Sequence, residues 1–170
     1  MMIHGRFKLN RDTVTLLECG VNGNYPAFSG NGKYTNQPGC THKPDDGALP
    51  AGRYWIVDRP TGGIGSQALT WAKDFVNRTD HATWFALYRD DHRIDDFTWI
   101  NSVKRGQFRL HPIGPARLSL GCITLYNAED FVRLRERLLR TPRVGVPRTN
   151  NKLMAYGSID VIGYERRCTV

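Results

Sequence analysis

The residues with chemistry to offer gather in one stretch, Arg109-Leu110-His111-Pro112-Ile113-Gly114-Pro115-Ala116-Arg117-Leu118-Ser119-Leu120-Gly121-Cys122-Ile123-Thr124, in which His111 stands eleven positions before Cys122. A free thiol, with a pKa of about 8.5, is only a few per cent ionised at neutral pH, so a cysteine that attacks a carbonyl needs a base at its side. An imidazole can take the proton and hold the thiolate as an ion pair. Gly121, lacking a Cβ, permits a sharp turn and close approach of an acyl group. The amides of Gly121 and Cys122 then suit a developing oxyanion. The pattern points to nucleophilic acyl transfer, with Cys122 as nucleophile and His111 as general base. Arg109, two residues before His111, has the planar fork to hold a substrate carboxylate.

Positioning these groups falls to short strands. Alternation over 107–111 puts Phe108 and Leu110 on one face and Arg109 and His111 on the other. Cys122 opens a second strand reaching Tyr126. A Gly- and Pro-rich loop joins the two, and a hairpin is expected to bring His111 and Cys122 together. Further strands are expected over 6–9, 13–19, 53–58, 83–89, 97–100 and 158–164, rich in aromatic and β-branched residues and bounded by turn residues. Two helices are expected. One runs from a Ser66 cap to about Arg78. The other starts at an Asn127 cap, carries Glu129 and Asp130 in its first turn and Arg137 and Arg140 in its last, buries Phe131, Leu134, Leu138 and Leu139, and stops before Pro142. Arg133, Arg135 and Arg137 are expected on its solvated face.

The sum is a mostly β, β-rich α+β fold, an antiparallel sandwich or partly open barrel. The length of 170 residues accommodates one domain, expected over 1–165, with 166–170 a flexible tail. A net charge of +8 favours polyanionic partners: nucleic acid, anionic membrane or acidic cell wall. No apolar run is long enough for a membrane span, and the first residues hold no secretory apolar segment. Cys19, Cys40, Cys122 and Cys168 lack zinc-finger spacing, and no metal is expected. Cys19 reads as a buried, inert thiol and Cys168 as part of the tail. With Cys122 used in chemistry, at most one disulfide can form among the other three.

His111 followed by Ser119-Leu120-Gly121-Cys122-Ile123 resembles the active-site signature of the L,D-transpeptidase family, in which a histidine precedes a Ser/Thr-His-Gly-Cys element on a mostly β catalytic domain. Asp45-Asp46-Gly47-Ala48-Leu49-Pro50-Ala51-Gly52-Arg53-Tyr54-Trp55-Ile56 resembles the family's Gly-x-(Ile/Leu)-Pro-x-Gly-x-Tyr-x-Ile strand, and Ser29-Gly30-Asn31-Gly32 is a looser match. Leu120 replaces the family's second histidine, Thr124 stands where Arg or Asn is usual, and the interval from His111 to Cys122 is short. In these departures the chain is more similar to the subgroup of antibacterial type VI secretion effectors.

The resemblance implies a cofactor-free enzyme acting on peptidoglycan stem peptides, as an L,D-carboxypeptidase or an L,D-transpeptidase exchanging D-amino acids. Cys122, His111, Ser119 and Gly121 would be catalytic, and Arg109, Tyr54 and Thr124 would bind substrate. It further implies synthesis in a bacterial cytoplasm without a Sec signal, delivery to a target-cell periplasm by a secretion apparatus, and a cognate immunity protein. Three rival readings are a nucleic-acid-binding β module, from the arginine and aromatic residues of 53–55 and 84–89, an ordinary cysteine peptidase acting on proteins, and a catalytically inactive cell-wall-binding domain.

Overall fold

The computed structural model describes residues 1–60 and 81–170. Its first strand, β1 (Ile3–Lys8), alternates strictly between buried and exposed positions, so Ile3, Gly5 and Phe7 face inward. β2 (Thr15–Glu18) pairs antiparallel with β1, and β3 (Asn24–Phe28) antiparallel with β2. β4 (Gly52–Asp58), β5 (Phe85–Arg89), β8 (Arg109–Pro112), β9 (Ile123–Leu125) and β11 (Met154–Ile162) complete the wall, with β10 (Val144–Gly145) pairing at the start of β11. The order is β1-β2-β3-β9-β8-β5-β4-β11, and β11 pairs back to β1 in parallel, which closes eight strands into a barrel-like sheet. Closure removes the free edges that would otherwise template aggregation.

The β-rich, barrel-like architecture is the one expected. It is closed, however, and two of its joints, β1–β11 and β8–β9, are parallel. Phe7, Leu17, Leu49, Tyr54, Leu87, Leu110, Ile123 and Leu125 fill the main core. The alternate residues of β4 and β5 are buried too: Trp55, Val57 and Ala86 form a second apolar cluster with Val146 and Ala155. A one-residue register slip would exchange the two sets, so packing on both faces fixes the register.

Helix α1 (Ala128–Arg140) begins where expected, with the Asn127 side chain accepting the Glu129 N–H at 2.9 Å. Phe131, Leu134 and Leu138 are buried, whereas Leu139 is 44% exposed. One residue is 100° of helical rotation, enough to carry Leu139 off the stripe. Only Arg133 of the expected solvated arginines confines its pairing to the helix, with Asp130 and Glu129. Arg135 donates to the Thr83 carbonyl and Arg137 to the Asn22 carbonyl, fastening α1 to the barrel. The helix expected over 66–78 lies outside the described residues.

The last residues are not a loose tail. Cys168 forms a disulfide with Cys40, Glu165 pairs with Arg11, and the chain at Arg167 lies so close to Gly39 that a Cβ there would strike its carbonyl. β6 (Phe97–Ile100) and β7 (Val103–Gly106) form a separate hairpin. Its two-residue turn, Asn101-Ser102, has positive φ at both positions, the twist that suits a tight hairpin.

Candidate active site

β8 and β9 lie side by side and run in the same direction, with His111 opposite Thr124 and Leu110 opposite Ile123. The hairpin expected between them is therefore a crossover. The ten residues 113–122 carry the chain back to the start of β9, turning at Gly114–Arg117 and tied to its far end by Ile113 N–H to Leu125 carbonyl at 2.8 Å. Parallel register decides the site. Leu110 and Ile123 point into the core, so His111 and Thr124 share the opposite face, and Cys122, two residues before Thr124, falls on that face diagonal to His111 and beside Arg109.

All four side chains on this face are buried. Buried polar groups must find partners, and their partners define the site. His111 Nδ1 lies 2.8 Å from the Pro112 carbonyl. A carbonyl can only accept, so Nδ1 carries the proton and Nε2 presents a lone pair in the neutral ring. Nε2 is 3.2 Å from the Thr124 hydroxyl. The Trp84 indole stacks on the imidazole, with centroids 4.3 Å apart and planes 19° from parallel, a surface that also suits an imidazolium.

Cys122 Sγ accepts the backbone N–H of Arg109, and the Arg109 and Arg105 guanidiniums favour its ionised form. Burial outweighs them and pushes the thiol up to about 11. The Ser119 hydroxyl donates to the Cys122 carbonyl at 2.8 Å, and the Gly121 N–H is taken by the Ser119 carbonyl at 2.8 Å. Ser119 thus fastens the turn, and the Cys122 N–H is left as the turn's candidate oxyanion donor. Gly121 has φ of 79°, and a Cβ there would run into the Arg105 guanidinium and the Phe108 ring. Glycine is required twice over.

Arg109 and Tyr54 sit differently from the substrate contacts expected of them. The Arg109 fork is taken up by Asp96, with bonds of 2.6 and 2.8 Å, and by the Phe108 carbonyl at 2.9 Å. Tyr54 is inside the barrel, its hydroxyl donated to the Pro50 carbonyl at 2.7 Å and its ring edge-on to Phe108. Thr124 contacts the imidazole, as described.

Arg105 was not legible in the sequence. It is buried and donates to the carbonyls of Thr41, Ala48 and Gly47 at 2.6, 2.9 and 3.0 Å. One guanidinium therefore joins the Gly47–Pro50 segment to the turn before Cys122. Trp84 stands out in the sequence only as one of the aromatic residues of 84–89, and neither it nor Asp96 has a fixed spacing that would tie it to His111 or Arg109. Among the described residues no group of three or more metal-ligating side chains occurs.

The model of one protein family, the Tlde1 domain, matches residues 23–149. The chain belongs to the Tlde1 domain family. This is the family of type VI secretion L,D-transpeptidase effectors. The Tlde1 match takes in both motif segments, Arg105, and the whole run from His111 to Thr124, while β1, β2 and β11 lie outside it. No curated protein and no solved structure matches the chain. No helix among the described residues of this Tlde1 domain is long and apolar enough to cross a membrane.

Proposed function

We propose that the protein is a cysteine acyltransferase of peptidoglycan stem peptides, delivered into the periplasm of a target cell and restrained in the producer by an immunity protein. The observation that carries this reading is the parallel β8–β9 register. It gives Cys122 and His111 a common buried face, with the imidazole tautomer fixed by Pro112.

Cys122 Sγ attacks the carbonyl of the bond to the terminal D-alanine of a tetrapeptide stem, while its proton passes to His111 Nε2. The Cys122 N–H stabilises the oxyanion. Collapse of the tetrahedral species breaks the C–N bond, and Nε2 returns the proton to the departing amine, leaving a thioester. Water then attacks in a carboxypeptidase cycle, or a D-amino acid amine in an exchange cycle. The attacking group gives its proton to Nε2, and the thiolate leaves and is reprotonated. Thr124 steadies the imidazole, and the Trp84 face supports it when charged. The +8 charge suits a substrate bearing free carboxylates.

A nucleic-acid module is less well supported, because Tyr54, Trp55, Trp84 and Phe85 are buried and offer no face to a base. The test is incubation with purified tetrapeptide muropeptides, read by mass spectrometry. Loss of D-alanine, or its replacement by an added D-amino acid, is expected with the natural protein and at least a thousandfold less with Cys122→Ala or His111→Ala. No turnover by the natural protein refutes the reading.

A further inference from the structure

The β6–β7 hairpin is built inside out. Thr98 and Arg105, cross-strand partners, face the protein and are 2% and 5% exposed, while Phe97 and Trp99 face solvent at 41% and 64%. The inward polar face is committed: Arg105 holds three carbonyls, and the Thr98 hydroxyl donates to Asp91 at 2.7 Å and accepts from Arg89 at 3.2 Å. The same fastening that turns the polar residues in turns the two rings out, on one side of one strand and about 7 Å apart. The Lys104 ammonium lies 4.2 Å from the Phe97 ring centre. Beside the rings is an open groove of about 630 Å³, lined also by Asp91, His92, Arg93 and Asp95.

Flat aromatic faces stack on the C–H faces of sugar rings, and side chains carrying both donors and acceptors satisfy hydroxyl and acetamide groups around the ring edge. Asp91 and Asp95 offset most of the positive charge of Arg89, Arg93 and Lys104, so the groove lacks the concentrated positive charge that draws a polyphosphate, and its mixed-charge lining is unlike the apolar centre of a protein interface. Arg93 is paired with Asp95 at 3.0 Å, and Lys104 can meet a carboxylate borne by the polymer. The hairpin is also joined to the candidate site, through Asp96 to Arg109 on the strand of His111 and through Arg105, which lies against the turn at Gly121.

We propose that Phe97, Trp99 and this groove bind the glycan strand, the polymer of N-acetylated amino sugars from which stem peptides hang. This rests on the reading of the protein as a stem-peptide enzyme and names a second contact with the same substrate. A strand held at the hairpin keeps its stems at high local concentration near Cys122.

The probe is peptide-free glycan strands, titrated by calorimetry against the natural protein and Trp99→Ala. Turnover is measured in parallel on intact sacculi and on a free stem tetrapeptide. The natural protein should bind the glycan and Trp99→Ala at least tenfold more weakly. Trp99→Ala should lose about tenfold on sacculi and nothing on the tetrapeptide. Absence of glycan binding by the natural protein, equal rates of the two proteins on sacculi, or binding through this groove of an oligonucleotide or a protein in place of the glycan would overturn the proposal. Failure of the natural protein on the free tetrapeptide refutes instead the reading of the active site, and glycan binding is scored separately.

Discussion

Two buried thiols, Cys19 and Cys122, are both pushed up to about 11 by burial, yet their neighbours differ. Cys19 is eased only by Arg137, whereas Cys122 receives a backbone N–H and faces two guanidiniums. Burial still dominates at Cys122 and holds the thiol in its protonated form at neutral pH. Burial thus opposes the thiolate–imidazolium pair expected from the sequence. The proposed chemistry then has the proton leave as the sulfur–carbon bond forms, and the site supplies the charge stabilisation when it is needed. Labelling of Cys122 by a small electrophile should therefore climb about tenfold per pH unit from 7 to 10 and level off near 11, read by mass spectrometry of the modified peptide. A plateau already at neutral pH would mean a preformed thiolate. Because the folded protein favours the protonated thiol, its contribution to stability is present below the ordinary thiol value and is lost as pH rises from about 9 towards 11.

At the scale of elements, one of the ties that hold the β6–β7 hairpin to the barrel is a mostly buried ion pair beside it. Asp96 and Arg109 are mostly buried, and removing the carboxylate leaves a guanidinium without its partner. Asp96→Ala should cost about 3 kcal/mol in denaturant unfolding, and Asp96→Ala with Arg109→Met should recover part of that loss. Equal stability of Asp96→Ala and the natural protein would show the pair to be passive. Elements specified by neighbouring residues were the legible ones. Helix α1 follows from the Asn127 cap, the apolar spacing and Pro142, and the inward–outward alternation of Leu110 and His111 from period two alone. What depends on distant partners was not. The direction of β9 is set by its neighbours β3 and β8, which local composition does not encode. Arg105 bonds carbonyls 57 to 64 residues away, and any arginine in a strand would look the same in sequence. Trp84 precedes β5, so the alternation that places Ala86 and Tyr88 does not extend to it.

For the whole molecule, both chain ends serve closure. β1 and β11 pair over residues 3–8 and 157–162, Arg53 makes a two-bond contact from β4 to Asp160 on β11, and the disulfide joins Cys40 to Cys168 across a separation of 128 residues. A cross-link closing so long a loop restricts the unfolded chain and is worth about 5 kcal/mol on chain entropy alone. It also starts the segment 40–48 whose carbonyls Arg105 gathers, so it bears on the brace behind Cys122. Thiol-reducing conditions such as those of a cytoplasm oppose this bond, whereas an oxidising compartment such as a periplasm sustains it. Reduction, or Cys168→Ser, should lower the melting temperature by about 10 to 20 °C. Non-reducing peptide mapping should find Cys40 and Cys168 linked and Cys19 and Cys122 as free thiols. An unchanged melting temperature after verified reduction would mean that the strand pairing alone holds the ends, and that the disulfide adds nothing to the closure of the barrel.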